Sequence, residues 1–256
     1  MTLLARVGNK IIYFIEEIGR IFQLIGRLVK ALPLMVMNPH LTSEQMMIMG
    51  IRSLPLVLLT SVFTGAVSSL QASYQFRGYI PMRYLGTAVG KAVIIELGPV
   101  LTSLVVAGRV GAGIAAELGT MKVTEQIDAM ETMALDPVRY LVVPRFLAGI
   151  TMLPILTIFA DFVALLGGLA VAMLIVHISS YTFLNGVKLF FQIKDIFGGL
   201  AKSLVFGAII SIVGCYQGFR TTGGAEGVGI STTKAVVMAS ILILLSDYFL
   251  ASIIFG

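Results

Sequence analysis

The sequence predicts an all-α integral membrane protein. It should have five transmembrane helices, an amino-terminal amphipathic helix lying in the interface, and a short acidic helix at the cytoplasmic surface. Three observations predict this. Of 256 residues, 57% are hydrophobic and 12% charged, against roughly 25% charged in soluble chains, and mean hydropathy is +0.98. The apolar residues gather into runs long enough to cross ~30 Å of hydrocarbon. Between two such runs lies TEQIDAMETMALDP, residues 124–137, which turns abruptly polar. No linker or shift in composition divides the chain, so 1–256 reads as one domain.

The elements follow in order. Residues 1–31 carry a continuous apolar stripe through Val7, Ile11, Phe14, Ile15, Ile18, Ile21, Phe22, Ile25, Leu28 and Val29. Arg6, Lys10, Glu16, Glu17, Arg20, Arg27 and Lys30 interrupt every run before it can span, the pattern of a helix in the headgroup plane. Glu16 and Glu17 also break the apolar core that a secretory signal needs. A soluble helix packed on a partner is the competing reading. Pro33, Asn38 and Pro39 make a turn, and Thr42 to Gly50 reads as a second short helix from a Thr/Ser cap.

The first span covers 54–70, and a polar connection with Gln71, Gln75, Arg77, Gly78, Pro81 and Arg83 follows. The second covers 92–116. The third, 146–176, contains Pro154 and Asp161 and is too long to cross without tilting, kinking or projecting. Residues 179–196 read as one short interfacial helix. The fourth span covers 197–216, a glycine-rich loop QGFRTTGGAEGVG follows, and the fifth covers 235–255.

The acidic helix is assigned to 124–135. Val123, Ile127, Met130 and Ala134 fall at i, i+4, i+7 and i+11 and make one apolar face, while Glu125, Asp128 and Glu131 show on the other side. Asp136-Pro137 ends it, because the residue before proline is pushed out of the helical region. A membrane helix that runs into a short amphipathic helix suits a transport protein passing movement to a soluble partner. With the amino terminus inside, the inner segments hold twelve of the 18 Lys and Arg, which places the acidic helix in the cytoplasm and the carboxyl terminus outside.

Several chemistries have no motif here. There is no G-x-x-x-x-G-K-[ST], no H-E-x-x-H and no G-x-S-x-G. No catalytic residue, cofactor or metal site is therefore assigned. The net charge of +5 is scattered, which argues for topology and lipid contact rather than nucleic acid. Cys215 sits in an apolar run and reads as a small buried residue. Gly111-Ala-Gly113-Ile-Ala-Ala116 matches a loose dinucleotide pattern but follows no strand. Small residues at Ala107/Gly111/Ala115 and Gly108/Ala112/Ala116 read instead as surfaces for close helix packing.

Ionisable residues within the apolar runs are Glu96, Arg109, Glu117, Asp161, Lys202 and Asp247. Burying one in lipid costs at least ~2.5 kcal/mol, so none should face lipid. Arg109, Glu117 and Lys202 lie near span ends, where snorkelling to the headgroups would serve them; Asp161 and Asp247 are deeper and need a partner or a wet cavity. A structural ion pair with Lys202 or Arg109 would satisfy either. A proton relay through Asp161, Asp247 and Lys202, in a proton-coupled secondary transporter, is the alternative function. Glu96 precedes Leu-Gly-Pro and is placed to cap a broken helix at the outer end of its span, where an outward cavity would form. Candidate substrate-binding residues are Glu96, Gln71, Tyr74, Lys202 and Asp247.

The run Glu96-Leu-Gly-Pro, Ala107-Gly-Arg-Val-Gly-Ala, Ala116-Glu-Leu-Gly-Thr-Met, Thr124-Glu-Gln-Ile-Asp-Ala-Met and Ala134-Leu-Asp-Pro resembles the MlaE/YrbE-type permeases of MCE-associated ABC transporters. The resemblance continues through Pro144-Arg145-Phe146, the segment from Lys202, and Gly227-Val-Gly-Ile-Ser-Thr-Thr-Lys. It implies a non-catalytic, homodimeric permease of the bacterial inner membrane. ATP would be bound and hydrolysed by a separate cytoplasmic ABC ATPase, and phospholipid exchanged with an MCE-domain protein on the outer side, maintaining outer-membrane lipid asymmetry. It also makes 124–135 a coupling helix, with Glu125, Gln126, Asp128, Met130 and Glu131 as ATPase-facing candidates, and puts Glu96 at the mouth of the lipid cavity. Some members carry Arg immediately before that Glu; Ile95 stands there in this chain.

Overall fold

The structure, a computed structural model, describes residues 3–35 and 39–256. Every regular element among them is helical, and five helical stretches are long and apolar enough to cross a membrane: Pro39–Phe76, Met82–Val123, Val138–Leu174, Ile193–Phe219 and Gly224–Phe255. The helices extend past the apolar runs read from the sequence, since helical backbone continues where side chains turn polar.

Helix α1 (Leu3–Met35) has Leu24, Leu28 and Ala31 buried, spaced i, i+4 and i+7, while Arg27 and Lys30 are exposed. The buried face packs across residues 138–142, and Glu17 pairs with Arg220 at 2.8 Å. The side chains of Arg6, Val7, Lys10, Ile11, Phe14 and Ile18 lie outside those described. Of the expected turn, Pro33 falls inside α1 and Asn38 lies outside the described residues. Helix α2 (Pro39–Met49) starts at its proline rather than at Thr42, because proline is pre-organised for a first helical turn and lacks only an amide that has no partner there.

Helix α3 (Leu54–Phe76) buries Val57, Ser61, Gly65, Ser69 and Ser73, one face at four-residue spacing. Opposite it, the long third span buries Ala160, Ala164, Gly167, Gly168 and Ala172. A Cβ at Gly65 would fall on the Ala164 carbonyl, and one at Gly167 on the Val62 carbonyl. These backbones touch, as small-residue faces in lipid allow. Gly65→Ala is expected to cost about 1–3 kcal/mol through overpacking. Thermal stability of the purified protein checks this, and an unchanged transition temperature would contradict the close contact.

The second span is one helical rod built of α4 (Leu85–Ala92), α5 (Gly98–Val106) and α6 (Ala112–Val123), joined by π turns at Val93–Leu97 and Ala107–Gly111. The expected break at Leu97-Gly-Pro is therefore absent. Pro99 has no amide to donate, and the widened turn before it absorbs that loss without ending the helix. Of the two small-residue stripes, Ala107, Gly111 and Ala115 are buried, whereas Gly108 is exposed and Ala112 and Ala116 are half-buried.

Helix α7 (Gln126–Thr132) is shorter than the expected 124–135, because the chain enters it through Glu125 at φ 60° and leaves through Ala134 at φ 58°. Left-handed residues on both sides fix a tight offset helix rather than a continuation of α6. Helix α8 (Val143–Leu174) runs through Pro154. Residues 179–196 are not one helix: α9 (Ser180–Leu189) is capped by Ser179 and ends, and α10 (Ile193–Phe219) starts with a reciprocal Gln192–Asp195 cap. The expected glycine-rich loop reduces to a turn around Arg220–Gly223. Gly223 and Gly224 take positive φ of 88° and 66°, and α11 (Gly224–Phe255) resumes at once. Helix α10 sits at the centre, packed on α6, α8 and α11.

Candidate functional site

Near the α9 end of the bundle, three charged residues from three spans converge. Lys202 on α10 is fully buried; its Nζ lies 2.5 Å from Glu96 Oε2 and 2.9 Å from Asp247 Oδ1. The Glu96 contact is a hydrogen bond donated by Lys202, and the Asp247 contact is an ion pair. The Phe255 ring lies 5.8 Å from Nζ.

The backbone explains why they meet. Gly199 lies against the π turn: a Cβ there would press on the Ile94 carbonyl and sit 3.3 Å from Pro99 Cγ. Gly198 faces α11, where a Cβ would meet Phe255. Two adjacent glycines thus let α10 approach both neighbours, and Lys202, one turn on, reaches the acids of each.

The electrostatics are asymmetric. With all three groups ionised the cluster carries one net negative charge. Asp247 is 13% exposed, while the Glu96 side chain is 44% exposed, so Glu96 is the member that faces outward. Lys202 holds one carboxylate oxygen of Glu96, and the exposed part of that side chain is what a polar or cationic group arriving at that end would meet. Buried ion pairs give position more reliably than stability. This one fixes where Glu96 sits at the exposed edge of the cluster.

The remaining candidates divide. Gln71 and Tyr74 stand exposed near the α9-end terminus of α3, and no hydrogen bond or ion pair joins them to the cluster among the described residues. Asp161 stands apart too: its buried Oδ1 has no hydrogen-bond partner and lies against the Gly98 backbone. No bond links it to Lys202 or Asp247 among the described residues, so the three-residue relay is not one network. Arg109 does not rely on headgroups; it donates to Ser53 Oγ at 2.6 Å and to the Ile48 carbonyl at 3.3 Å, tying the second span to the start of α3. Glu117 pairs with buried Arg145 at 2.8 Å.

At the opposite end α7 shows two faces. Ile127 is buried and Met130 half-buried, whereas Glu125, Gln126, Asp128 and Glu131 are exposed. Asp128 is engaged by Lys122 at 2.5 Å, and Gln126 donates to Thr124 at 3.1 Å. Beside them Met133 is 64% exposed and Leu135 37%. Sequence reading missed this apolar pair, and no signal marked it, because the chain turns between them at Ala134 in a left-handed conformation that alanine does not announce. A cavity of about 200 Å³ lies between α1 and α7, lined by Leu24, Arg27, Ile127 and Glu131 among others.

Residues 42–253 match the family model described as Permease MlaE. A probable ABC transporter permease protein of Rickettsia typhi is 41% identical over 252 residues, covering 97% of this chain and 96% of that protein. Another of that description from Synechocystis is 46% identical, covering 85% and 83%. The intermembrane phospholipid transport system permease protein MlaE of Haemophilus influenzae is 33% identical, covering 100% and 98%.

Proposed function

This chain belongs to the MlaE permease family, and from that premise we propose that it is the non-catalytic membrane subunit of a phospholipid ABC transporter. The observation that carries the reading is the second span. One helical rod from Met82 to Val123 holds Glu96 near one end and delivers the chain into exposed α7 at the other. Movement imposed on α7 is thereby applied to the helix that carries the half-open carboxylate. Two π turns interrupt that rod, at Val93–Leu97 and Ala107–Gly111, and such turns are frequent at functional sites.

In this reading α7 docks on a cytoplasmic ATPase that binds and hydrolyses ATP. Two copies of the chain enclose an apolar cavity, and an MCE-domain protein exchanges phospholipid at the α9 end, which faces the periplasm. The amino terminus is then cytoplasmic, α1 lies in the inner leaflet of a bacterial inner membrane, and the transported lipid contributes to outer-membrane asymmetry. Glu96, oriented by Lys202 and Asp247, contacts the headgroup, with Gln71 and Tyr74 further along the same mouth.

Mild-detergent purification of the tagged chain from its native membrane, with mass spectrometry of everything retained, tests the assignment. A P-loop ATPase, an MCE-domain protein and phospholipid are expected together. A folded chain retaining neither ATPase nor lipid would overturn it. Within such a complex, Glu96→Leu should reduce photo-crosslinking of lipid at the α9 end severalfold without loss of the partners. Unchanged crosslinking would remove Glu96 from the lipid path.

A further inference from the structure

A second polar site lies at the α9 end, away from the Glu96 cluster. It is a cavity of about 400 Å³ between the start of the second span and α9, lined by Arg83, Tyr84, Tyr181, Thr182 and Asn185. Its walls are fixed by a backbone crossing. A Cβ at Gly186 would lie 2.7 Å from the Arg83 carbonyl, Gly86 approaches the Phe183 carbonyl, and Thr87 Oγ1 donates to the Gly186 carbonyl at 2.5 Å. The cavity is thus built on two helices locked together.

The donor set is that of an anion site. Arg83 donates to the Tyr84 hydroxyl at 2.9 Å and its guanidinium lies 4.9 Å from that ring's centroid, and no carboxylate pairs with it among the described residues. Tyr84 accepts from Arg83, so its own O–H is free to donate onward. Tyr181, Thr182 and Asn185 add neutral donors, and no carboxylate lines the space. An arginine and several neutral hydrogen-bond donors without an acid suit a phosphate group.

The surroundings indicate where that phosphate comes from. Leu184 and Leu189 on α9 are 49% and 58% exposed, and Phe190 and Tyr181 are 53% and 75% exposed. Apolar and aromatic side chains at the ends of spans mark the headgroup level, where acyl chains pack below and polar groups above. We propose that this cavity binds the phosphodiester of a glycerophospholipid headgroup, at a site separate from the Glu96 mouth.

The full chain, purified in dodecyl maltoside and titrated with dioleoylphosphatidylglycerol, is read by native mass spectrometry. Arg83→Gln should weaken retention of one lipid per chain by about tenfold, the size of one lost charge-assisted hydrogen bond. Asn185→Ala should weaken it by a smaller factor, and Lys188→Gln, which removes a neighbouring charge outside the cavity lining, should leave it unchanged. Competition by inorganic phosphate at tens of millimolar would show that the phosphate group alone is recognised; failure to compete, with lipid still bound, would show that the anchored headgroup is required. Equal retention by Arg83→Gln and the unmodified chain would overturn the proposal, as would equal retention of uncharged dioleoylglycerol. If Arg83→Gln does not fold, Asn185→Ala decides in the same way. The Glu96→Leu crosslinking experiment is independent of these outcomes, so this site and the transport reading fail separately.

Discussion

Lys202→Met should destabilise the protein by about 3–5 kcal/mol, the usual cost of removing one partner of a buried ion pair. Methionine matches much of the lysine stem, so little of the loss comes from a cavity. What remains is two carboxylates with nothing between them: Asp247, 13% exposed, and Glu96, held at present by the lysine that is itself fully buried. The comparison that isolates this cause is the triple variant Lys202→Met, Glu96→Gln, Asp247→Leu. Removing the charges together should recover most of the loss, because the penalty belongs to uncompensated charge rather than to lost packing. Glu96→Gln alone should cost much less, since that side chain is 44% exposed and water shares its solvation. Thermal unfolding of the three variants in one detergent measures the ordering. A Lys202→Met protein as stable as the unmodified chain would mean that the acids do not depend on Lys202.

That cluster shows what the sequence made legible and what it could not. Glu96, Lys202 and Asp247 were each conspicuous, because a charge in an apolar run has to be satisfied somewhere. An ion pair of Asp247 with Lys202 was readable as one way to satisfy the acid, and the structure has it. That Glu96 joins them was not, because it depends on Gly198 and Gly199 letting α10 sit against the π turn and α11, and glycines in an apolar run look alike. The same limit explains the helix contacts. The glycines of 107–116 were the obvious packing surface, yet a tight backbone contact joins Gly65 to Ala164, where serines at Ser61, Ser69 and Ser73 stand in for glycine and read as polar. Five apolar stretches were legible from hydropathy alone. The ends of the helices were not, because at residues 217–229 and 179–196 the backbone follows caps and positive-φ glycines rather than polarity.

Reversing two charges on α7, Glu125→Lys with Glu131→Lys, should abolish association with the ATPase while the chain still inserts and folds. Both residues are exposed and neither is held by an ion pair among the described residues, unlike Asp128, which Lys122 already engages. Neither supports the α7 fold through its side chain; burial of Ile127 does that. Glu125→Lys therefore changes the surface offered to the partner, while Glu131→Lys also sets a cation in the α1–α7 cavity beside Arg27 and Lys122, so each single reversal is compared with the double. Two reversals on one docking face turn attraction into repulsion and are expected to lower affinity by well over tenfold, each factor of ten being about 1.4 kcal/mol. Met133 and Leu135 supply the apolar part of the same surface, so Met133→Ser should also weaken the complex, but without the steep salt dependence that the charged contacts confer. Co-purification at two ionic strengths separates the contributions. If the double reversal retains normal amounts of ATPase, α7 is not the docking element, and the mechanical route along Met82–Val123 loses its input. If it loses the ATPase but lipid still crosslinks near Glu96, loading at the α9 end is independent of the ATPase, and coupling acts on a later step of transfer.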